Sequence, residues 1–530
     1  MFLGIADAVG LVLLLIGAIG THARSHDLSN AAPAVALVLL TIGRSDHAAR
    51  LKLKAESDMD ELTHLIDGEP VATDQWFHTV NPTTRQPWAR VARGSAEEAA
   101  RAVSAARVAF DEGPWPRMSP DERGAHLHRL ADLIEQHTDE LVALESTDMG
   151  KPVTQCRERD LPRSVANFRF FADYPRFCED ESLPSSTHHI YTSYEPVGVT
   201  AAISPWNFPL MLSTWKVAPA LAFGNTVVLK PAEQSPGTCT RLGELAIEAG
   251  LPRGVLNILH GYGPGEAGEA LTTSLEVDLV TFTGESNTGR KILQAGAPTL
   301  KRVSFELGGK SANLVFADAD LDAALDWSIK AAFTNSGQVC LAGSRLYVER
   351  AIFDEFVDRF VDLAERLVVG DPTDPATDIG PLASEEHWQK VCRYFEIAEA
   401  EGAKLLTGGP HEGWWVRPTV LVNTTQQMRI SHEEIFGPIV TIAPFDGEAE
   451  AIRLANDSRY GLNAMVFTEN ARRAHRVARA VRAGTVWVNC YFVRDLRAPF
   501  GGFKDSGIGR EGGKHSREFF TEAKTVVMEM

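Results

Sequence analysis

The chain has 530 residues, of which 44% are hydrophobic and 23% are charged, and its 43 Gly and 28 Pro show no collagen-like or low-complexity excess. This composition excludes a wholly disordered chain. Its 70 acidic and 52 basic residues give a net charge of −18, which disfavours a nucleic-acid-binding surface. Six scattered cysteines without a CxxC pair indicate a reducing compartment and no disulfide framework, and we predict no metal site.

Residues 1–62 differ in composition from the rest of the chain. Two apolar runs, at 8–20 and 31–43, are each 13 residues long, which is short for a membrane-spanning helix of about 20 residues. We predict that this extension either forms a membrane hairpin or an interfacial anchor through residues 1–43, or is a fused or misassigned segment. Basic residues follow the second run, so the positive-inside rule would leave the remaining chain in the cytoplasm.

Helix and strand patterns alternate along the chain from residue 95. Polar N-caps and apolar residues at helical spacing predict helices over residues 95–110 and 120–145. Further along, we predict strands at 196–203, 226–229, 255–259 and 279–282, with helices at 215–223 and 238–249. This alternation is typical of a doubly wound parallel sheet, which binds ligands at the carboxyl ends of its strands.

A second alternation of strands and helices begins at Val303. It continues through a strand at 313–316, a helix at 320–335, a strand at 345–348, a helix at 353–367 and further units to about residue 488. We therefore predict an α/β protein with two lobes and a cleft between them for substrate and cofactor.

Two glycine segments are candidates for binding a phosphate. Gly263, Gly265 and Gly268 match the GxGxxG pattern after a predicted strand, but a single match of so short a pattern is weak evidence. The segment FTGESNTGR at 282–290 also passes from a strand through glycine to a helix, where backbone N–H groups can approach a phosphate.

Three residues are candidates for covalent and acid–base chemistry. Cys340 lies among small and polar residues in TNSGQVCLAGSR, which favours a reactive thiolate over a buried structural cysteine. Glu306 follows a predicted strand and precedes two glycines, which fits either a buried general base or an ion pair with Lys310. Asn207 in ISPWNFPL is either an oxyanion donor or a turn residue flanked by prolines.

Seven ordered motifs resemble those of the aldehyde dehydrogenase superfamily. They are SPWNFPL (204–210), VVLKPAEQSP (227–236), FTGESNTGR (282–290), FELGGKSANLVFADADLD (305–322), GQVC (337–340), EEIFGP (433–438) and PFGGFKDSGIGREGG (499–513). The resemblance extends from about residue 64 to the end of the chain. It implies an aldehyde dehydrogenase-like α/β fold, with two Rossmann-like lobes and a small β bridging element.

The resemblance also implies a domain organisation and an oligomeric state. The NAD-binding domain is expected at 63–175 and 196–308, and the catalytic domain at 309–511. The bridging and oligomerisation element is expected at 176–195 and 512–530, in a homodimer or homotetramer.

The same resemblance assigns roles to individual residues. It implies that Cys340 is the nucleophile, that Glu306 is the general base, that Asn207 and the Cys340 backbone N–H stabilise the oxyanion, and that Glu511 assists proton transfer. The implied cofactor-binding residues are Ser204, Trp206, Lys230, Glu233, Gly263, Gly268, Phe282, Gly284, Ser286, Leu307, Glu434 and Phe436. Of these, Lys230 and Glu233 are expected at the adenosine ribose, Gly284 and Ser286 near the pyrophosphate, and Glu434 and Phe436 at the nicotinamide ribose. The GxGxxG match then falls on the adenine-side loop.

The implied cofactor is NAD, because the Glu233 carboxylate would repel the 2′-phosphate of NADP. The implied reaction begins with attack of the Cys340 thiolate on an aldehyde carbon and reaches a thioester after hydride transfer to the nicotinamide. Water activated by Glu306 then hydrolyses the thioester, so we predict a free acid rather than a coenzyme A ester as the product.

Two segments resemble one branch of the superfamily more closely. NCYFVRDLRAPFGG (489–502) and LPRSVANFRFFAD (161–173) resemble the enzymes that oxidise hydroxymuconic, carboxymethyl-hydroxymuconic and aminomuconic semialdehydes. That resemblance implies that Arg163 and either Arg494 or Arg497 hold a substrate carboxylate, with Phe500 in the same site. Arginines that bridge subunits or bind backbone carbonyls are the structural alternative.

Two other functions stay open at this point. One is a dehydrogenase for uncharged or cationic aldehydes such as betaine aldehyde. The other is a non-catalytic or membrane-tethered binding protein that reuses the fold, against which the intact Cys340, Glu306 and Asn207 argue.

Overall fold

The computed structural model describes residues 59–530. The first described strand, Asp60–Leu62, falls within the final residues of the predicted extension. The predicted membrane hairpin over residues 1–43 lies outside the described residues. Among the helices of residues 59–530, none combines the length and hydropathy that a membrane crossing requires.

An eight-stranded sheet forms the first of the two predicted lobes. Its five central strands pair in parallel and are largely buried, which explains their continuous runs of Val, Leu, Ile and Thr. Antiparallel strands complete the sheet at both edges. In spatial order the strands are Gly507–Ile508, Arg302–Glu306, Leu279–Thr283, Val199–Ile203, Thr226–Lys230, Leu256–Ile258, His64–Ile66 and Glu69–Val71.

Helices pack on both faces of this sheet. In Thr226–Lys230, Val227 and Leu229 belong to one hydrophobic core and Val228 belongs to another, as expected for alternating side chains of a strand. The first core includes helices Pro120–Gln136, Thr138–Met149, Leu161–Asp173, Pro209–Ala222 and Gly237–Glu248. The second includes Ala96–Asp111, Ala267–Thr273 and Ser286–Gly296. The first lobe is therefore doubly wound, as predicted.

Local chemistry explains where several of these elements begin and end. The helix predicted at 95–110 is Ala96–Asp111, and Ser95 forms a capping box with Glu98 at its start. The helix predicted at 120–145 is two helices, because His137, with ψ of 20°, leaves the helical conformation between them. The strand predicted at 196–203 is interrupted at Gly198, which has φ of +142°, and a Cβ there would lie 1.9 Å from the Asp278 carboxylate.

A seven-stranded sheet forms the second lobe. Its strands pair in parallel except at one edge, where Lys404–Pro410 is antiparallel to its neighbour. In spatial order they are Lys404–Pro410, Val416–Val422, Ile439–Phe445, Arg345–Glu349, Ala312–Val315, Asn463–Phe467 and Thr485–Val488. The helices of this part of the chain are Leu321–Phe333, Phe353–Glu365, Glu385–Ala400, Arg429–His432, Gly447–Asn456 and Ala471–Ala480.

Two three-stranded sheets and several short turns complete the described chain. One sheet contains Asp60–Leu62, Gln86–Ala92 and Trp76–Asn81, and the other contains Thr521–Glu529, His188–Pro196 and Ser182–Pro184. The helix Gly513–Phe520 precedes the last strand, and the short helix Val153–Gln155 leads into a π-helical turn at Cys156–Asp160. Residues Glu61–Met530 form one compact unit, and the predicted boundaries of the three domains stay a prediction.

The order of the parallel strands determines where chemistry-bearing residues meet. Four adjacent strands of the eight-stranded sheet end at, or one residue before, Ser204, Lys230, Gly284 and Glu306. Since parallel strands place their carboxyl ends at one edge of a sheet, these residues line the same edge.

Candidate active site

Two adjoining cavities lie along this edge and share Trp206, Thr283 and Gly284 in their walls. The larger, of about 650 Å³, extends past Lys230 and Glu233, and the smaller, of about 320 Å³, reaches Cys340. Most of the predicted cofactor-binding residues line one or both cavities: Ser204, Trp206, Lys230, Glu233, Gly263, Gly268, Phe282, Gly284, Leu307, Glu434 and Phe436. An elongated ligand can therefore extend from the sheet edge to the cysteine.

Cys340 lies half-buried at the inner end of the smaller cavity. It follows a 3₁₀ turn, Thr334–Gly337, in which Asn335 and Ser336 adopt left-handed conformations. A Cβ at Gly309 would lie 2.2 Å from the Cys340 carbonyl oxygen, so only glycine permits this close packing. Burial, followed by the charges of Glu434 and Glu306, raises the pKa of Cys340 to about 12. The thiol is therefore protonated near neutral pH and needs a proton acceptor before it can act as a nucleophile.

Glu306 lies at the end of its strand with both carboxylate oxygens buried and without a hydrogen-bond partner among the described residues. The predicted alternative, an ion pair with Lys310, is not observed in this part of the chain, and the Lys310 amine also has no hydrogen-bond partner there. Burial and the nearby Glu511 raise the pKa of Glu306 well above its usual value, while Lys216, Arg494 and Arg510 oppose that shift. A carboxyl group in this environment can accept a proton near neutral pH.

Glu511, whose charge raises the pKa of Glu306, is held by a buried lysine that was not among the predicted site residues. Its Oε1 accepts a hydrogen bond of 3.2 Å from Lys216, whose side chain is completely buried. Lys216 also donates to Thr281, in the neighbouring strand Leu279–Thr283. The two carboxyl groups and the amine together form a buried acid–base group.

Asn207 is fixed by hydrogen bonds to two other segments, the loop that precedes Cys340 and the buried Lys151. Its side-chain amide donates to the carbonyl oxygen of Gln338 at 2.9 Å, two residues before Cys340. Its own carbonyl oxygen accepts hydrogen bonds of 3.0 Å from Lys151 and from the Asn335 side chain. Asn207 is thus more than a turn residue, since one amide N–H is used to align it with the Cys340 loop and the second is available to a ligand.

At the far end of the larger cavity, Lys230 and Glu233 present a cation and a carboxylate to one ligand site. The Lys230 Nζ is 3.8 Å from the Glu233 carboxylate, and burial lowers the pKa of Lys230. Gly263 and Gly268 lie in the same wall, so the GxGxxG segment contributes to this end of the cleft. Ser286 does not line either cavity, and its hydroxyl donates to the Asp505 carbonyl oxygen at 3.1 Å.

The smaller cavity also contains the predicted residues Glu434 and Phe436, together with His387, which carried no recognised sequence signal. Glu434 accepts a hydrogen bond of 2.8 Å from the Gly309 N–H, and burial raises its pKa to about 7. Phe436 has φ of +64°, and its carbonyl oxygen lies 2.7 Å from Nε2 of His387. His387 packs against Trp206 with ring centroids 5.0 Å apart. It lies on the helix Glu385–Ala400, where no motif had indicated a site residue.

Two of the three predicted substrate arginines converge on Trp215. Arg494 lies 3.5 Å above the Phe500 ring and 5.1 Å from Trp215, and Arg163 lies 5.5 Å from Trp215. Neither guanidinium donates a hydrogen bond to any other residue of the described chain, and Arg163 Nη2 is fully buried. Burial lowers the pKa of Arg494 to about 10, so its guanidinium stays charged near neutral pH.

Arg497 lies outside this pair of arginines. Its guanidinium is exposed and forms an ion pair of 2.6 Å with Asp495. Of the two alternatives left by the sequence, Arg494 is therefore the one beside Glu306 and Cys340, whose charges act on it.

The profile of the Aldehyde dehydrogenase family matches residues 70–526. The chain belongs to the aldehyde dehydrogenase family. It is 49% identical over 487 residues to 2-hydroxymuconic semialdehyde dehydrogenase of Pseudomonas sp. strain CF600, covering 89% of this chain and all of the relative. It is 45% identical over 469 residues to 5-carboxymethyl-2-hydroxymuconate semialdehyde dehydrogenase of Escherichia coli, covering 86% of this chain and 99% of the relative.

Solved structures agree with this assignment. An NAD⁺ complex of an aldehyde dehydrogenase from Bacillus cereus has a TM-score of 0.87 and 42% identity to this dehydrogenase, over 90% of this chain and 98% of the other. These findings confirm the predicted family, its fold and an aldehyde-oxidising activity.

Proposed function

We propose that this dehydrogenase oxidises a carboxylated semialdehyde to the corresponding acid with NAD. The observation that carries the proposal is the pair of unpaired guanidiniums of Arg163 and Arg494 on Trp215, next to Cys340 and Glu306. Arginine binds carboxylates through two parallel N–H···O bonds, and two arginines provide more charge than one carboxylate neutralises. A substrate carboxylate held there would direct the rest of the molecule toward the cysteine.

The cleft supports NAD as the cofactor. At one end, the Lys230 amine and Glu233 carboxylate match the hydroxyl groups of a ribose, and Glu434 offers a carboxylate at the other. The Thr283 hydroxyl, in the wall that the two cavities share, is buried without a hydrogen-bond partner in the described chain. When bound, NAD supplies the acceptor for the hydride that leaves the substrate. Glu233 favours NAD over NADP because it would repel a 2′-phosphate.

Cys340 is proposed as the nucleophile. Its high pKa means that the thiol must lose its proton when the substrate is in place, and Glu306 is the nearby buried carboxylate able to accept it. Attack on the aldehyde carbon would place a negative charge on the carbonyl oxygen. The second amide N–H of Asn207 and the backbone N–H of Cys340 are proposed to donate hydrogen bonds to that oxygen.

Glu306 is proposed to pass the proton that it took from Cys340 to Glu511 and from there to solvent. The carboxylate restored in this way then activates the water that hydrolyses the thioester on Cys340. After accepting a proton from that water, Glu306 can pass it to Glu511, with which it shares a buried charge environment. Lys216 holds Glu511 in place and opposes the accumulation of negative charge. This arrangement supports release of a free acid.

The alternatives are less consistent with the site. Two guanidiniums without hydrogen-bond partners in the described chain disfavour a cationic aldehyde such as betaine aldehyde, and an uncharged aldehyde would leave their N–H groups without partners. A binding protein without catalytic activity would not need an unpaired buried carboxyl beside a half-buried thiol. The names of the two semialdehyde dehydrogenase relatives support the same substrate class. The cytoplasmic location and the dimeric or tetrameric state stay predictions.

The test is a substrate panel with purified protein. NADH formation is followed with 2-hydroxymuconic semialdehyde, benzaldehyde and betaine aldehyde, with NAD and NADP in parallel, and the product is identified by mass spectrometry. We expect the highest kcat/KM for the carboxylated semialdehyde with NAD, and the free acid as product. Equal activity on all three aldehydes, or a requirement for coenzyme A, would overturn the proposal.

A further inference from the structure

A second pair of donors without hydrogen-bond partners in the described chain lies against Phe492, apart from Arg163 and Arg494. The Nη2 atom of Arg159 and the hydroxyl of Tyr491 are both buried, and neither has a hydrogen-bond partner in residues 59–530. Tyr491 is only 4% exposed. An unsatisfied buried donor destabilises a folded protein unless another group accepts its hydrogen bond, so these two groups are candidates for binding a ligand.

Arg159 is directed by an unusual turn of the backbone. It lies in the π-helical turn Cys156–Asp160, a rare geometry that is often found at functional sites. Its Nε donates to the Asp160 carboxylate at 3.0 Å, and its guanidinium lies 5.3 Å from the rings of both Phe208 and Phe492. Phe208 directly follows the predicted oxyanion donor. The arginine is therefore held over the aromatic wall of the site.

The charge of Arg159 is not cancelled by Asp160. The same carboxylate accepts a hydrogen bond from the completely buried amine of Lys151. Two cations therefore share this carboxylate. The buried Glu145 also interacts with them, but burial raises its pKa to about 8, so it is mainly uncharged near neutral pH and one positive charge is left in this small region. The unpaired Nη2 of Arg159 is the group that can deliver this charge to a ligand.

Tyr491 is directed by a strained loop. Asn489 and Phe492, on either side of it, adopt left-handed conformations with φ of +54° and +61°. Such conformations are unfavourable for a bulky residue and are concentrated at ligand-binding sites. The Tyr491 ring stacks on Phe492 with centroids 5.5 Å apart and meets Trp487 edge to face.

The neighbours of Tyr491 show which part of the site it faces. It belongs to the hydrophobic cluster on which Cys340 packs. Burial raises the pKa of Tyr491, and the charges that act on it are those of Arg159 and Cys340. Tyr491 and Arg159 also share a neighbour, because the Arg159 guanidinium and the Tyr491 ring both pack against Phe492.

We propose that Arg159 and Tyr491 form a second substrate subsite, which binds an acidic oxygen group of the aldehyde in addition to the carboxylate held by Arg163 and Arg494. This inference rests on the proposed function and narrows its substrate class to semialdehydes that carry two acidic groups. The guanidinium N–H and the phenol O–H are two donors that a single carboxylate can accept. The aromatic rings around them exclude water and strengthen that interaction.

The test compares 2-hydroxymuconic semialdehyde with 5-carboxymethyl-2-hydroxymuconic semialdehyde, which carries one more carboxylate. Tyr491→Phe removes only the unpaired hydroxyl, and Arg159→Met removes the charge and keeps much of the stem. We expect each variant to lower kcat/KM for the second substrate about tenfold more than for the first, mainly through KM. Arg157→Met is the matched control, because Arg157 lies in the same turn but is exposed and paired with Asp139.

Equal losses for the two substrates, or a wild type that does not prefer the doubly acidic one, would overturn the inference. Tyr491→Phe should fold even if Arg159→Met does not, because its hydroxyl makes no hydrogen bond within the described chain. Arg163→Met, measured in parallel, separates the two proposals. If Arg163→Met lowers kcat/KM for both substrates and Tyr491→Phe lowers it equally for the two, only the second subsite is wrong. If Arg163→Met has no effect on either substrate, the proposed carboxylate site is wrong.

Discussion

Arg163→Met is the substitution that best separates substrate recognition from catalysis. Arg494 lowers the pKa of both Cys340 and Glu306, so its removal would alter the chemistry as well as binding. Arg163 is not among the main groups that shift either pKa, and its Nη2 is buried without a partner in the described chain. Methionine keeps the length and apolar contact of the stem and removes the charge.

The expected loss of kcat/KM follows from the burial of the ion pair between Arg163 and the substrate carboxylate. Removing one charged partner from a desolvated carboxylate costs about 2–3 kcal/mol. At about 1.4 kcal/mol for each factor of ten, this corresponds to a kcat/KM that is roughly 30- to 150-fold lower for 2-hydroxymuconic semialdehyde. Because the interaction exists before the reaction as well as during it, most of the loss should be in KM.

Steady-state NADH formation measures this effect, with benzaldehyde as the uncharged reference. The loss for benzaldehyde should be at least about tenfold smaller, because it has no carboxylate for the arginine to bind. Arg497→Met is the control, since that arginine is exposed and paired with Asp495. The melting temperature of Arg163→Met should stay close to that of the wild type, because the guanidinium makes no hydrogen bond in the described chain and the attraction of Asp495 offsets part of its burial cost. Equal losses on both aldehydes, or the same loss in Arg497→Met, would refute the reasoning.

Three further predictions concern the buried ionisable groups. Glu306→Gln should lower kcat by about a hundredfold or more, and because Glu306 is also the proposed acceptor of the Cys340 proton, the first-turnover formation of NADH should be slowed as well; an unchanged kcat would contradict this. Lys216 lowers and Glu511 raises the pKa of Glu306. Lys216→Met should therefore move the rising limb of the kcat–pH profile to higher pH, and Glu511→Gln should move it to lower pH. A shift of both variants in the same direction would contradict this assignment. Burial lowers the pKa of His64 to about 4 and that of its stacked neighbour His260 well below its usual value, so both are neutral when folded. The free energy of unfolding in urea should therefore be fully maintained above about pH 6.5 and fall toward pH 4, and His64→Gln should weaken that dependence.

Much of the fold could be predicted from patterns that act locally. Alternating apolar runs predicted the buried parallel strands, and Ser95 as a polar N-cap predicted the start of a helix to within one residue. The break at His137 was missed because apolar residues continue at helical spacing on both sides of it. The interruption at Gly198 depends on Asp278, 80 positions further along the chain. Periodicity alone gives no information about such distant contacts.

In the candidate site, too, local sequence patterns predicted some residues, while others depend on contacts between distant segments. Sequence motifs identified Cys340 and Glu306 as candidates, because short segments with unusual glycine and polar content are specific in combination. Lys216 gave no comparable signal: it lies in an apolar helix, and its partner Glu511 is 295 positions away. Arg494 and Arg497 are three positions apart in one loop, and only their contacts with Phe500 and Asp495 distinguish them. Side-chain direction in loops depends on tertiary packing, which the sequence pattern does not contain.

The central claim is that the enzyme recognises its substrate by a carboxylate. The most direct measurement compares kcat/KM of the wild type for 2-hydroxymuconic semialdehyde and for its methyl ester, which has the same aldehyde and carbon chain without the negative charge. Loss of the charge should lower kcat/KM by about a hundredfold. Equal values for the acid and the ester would contradict the account.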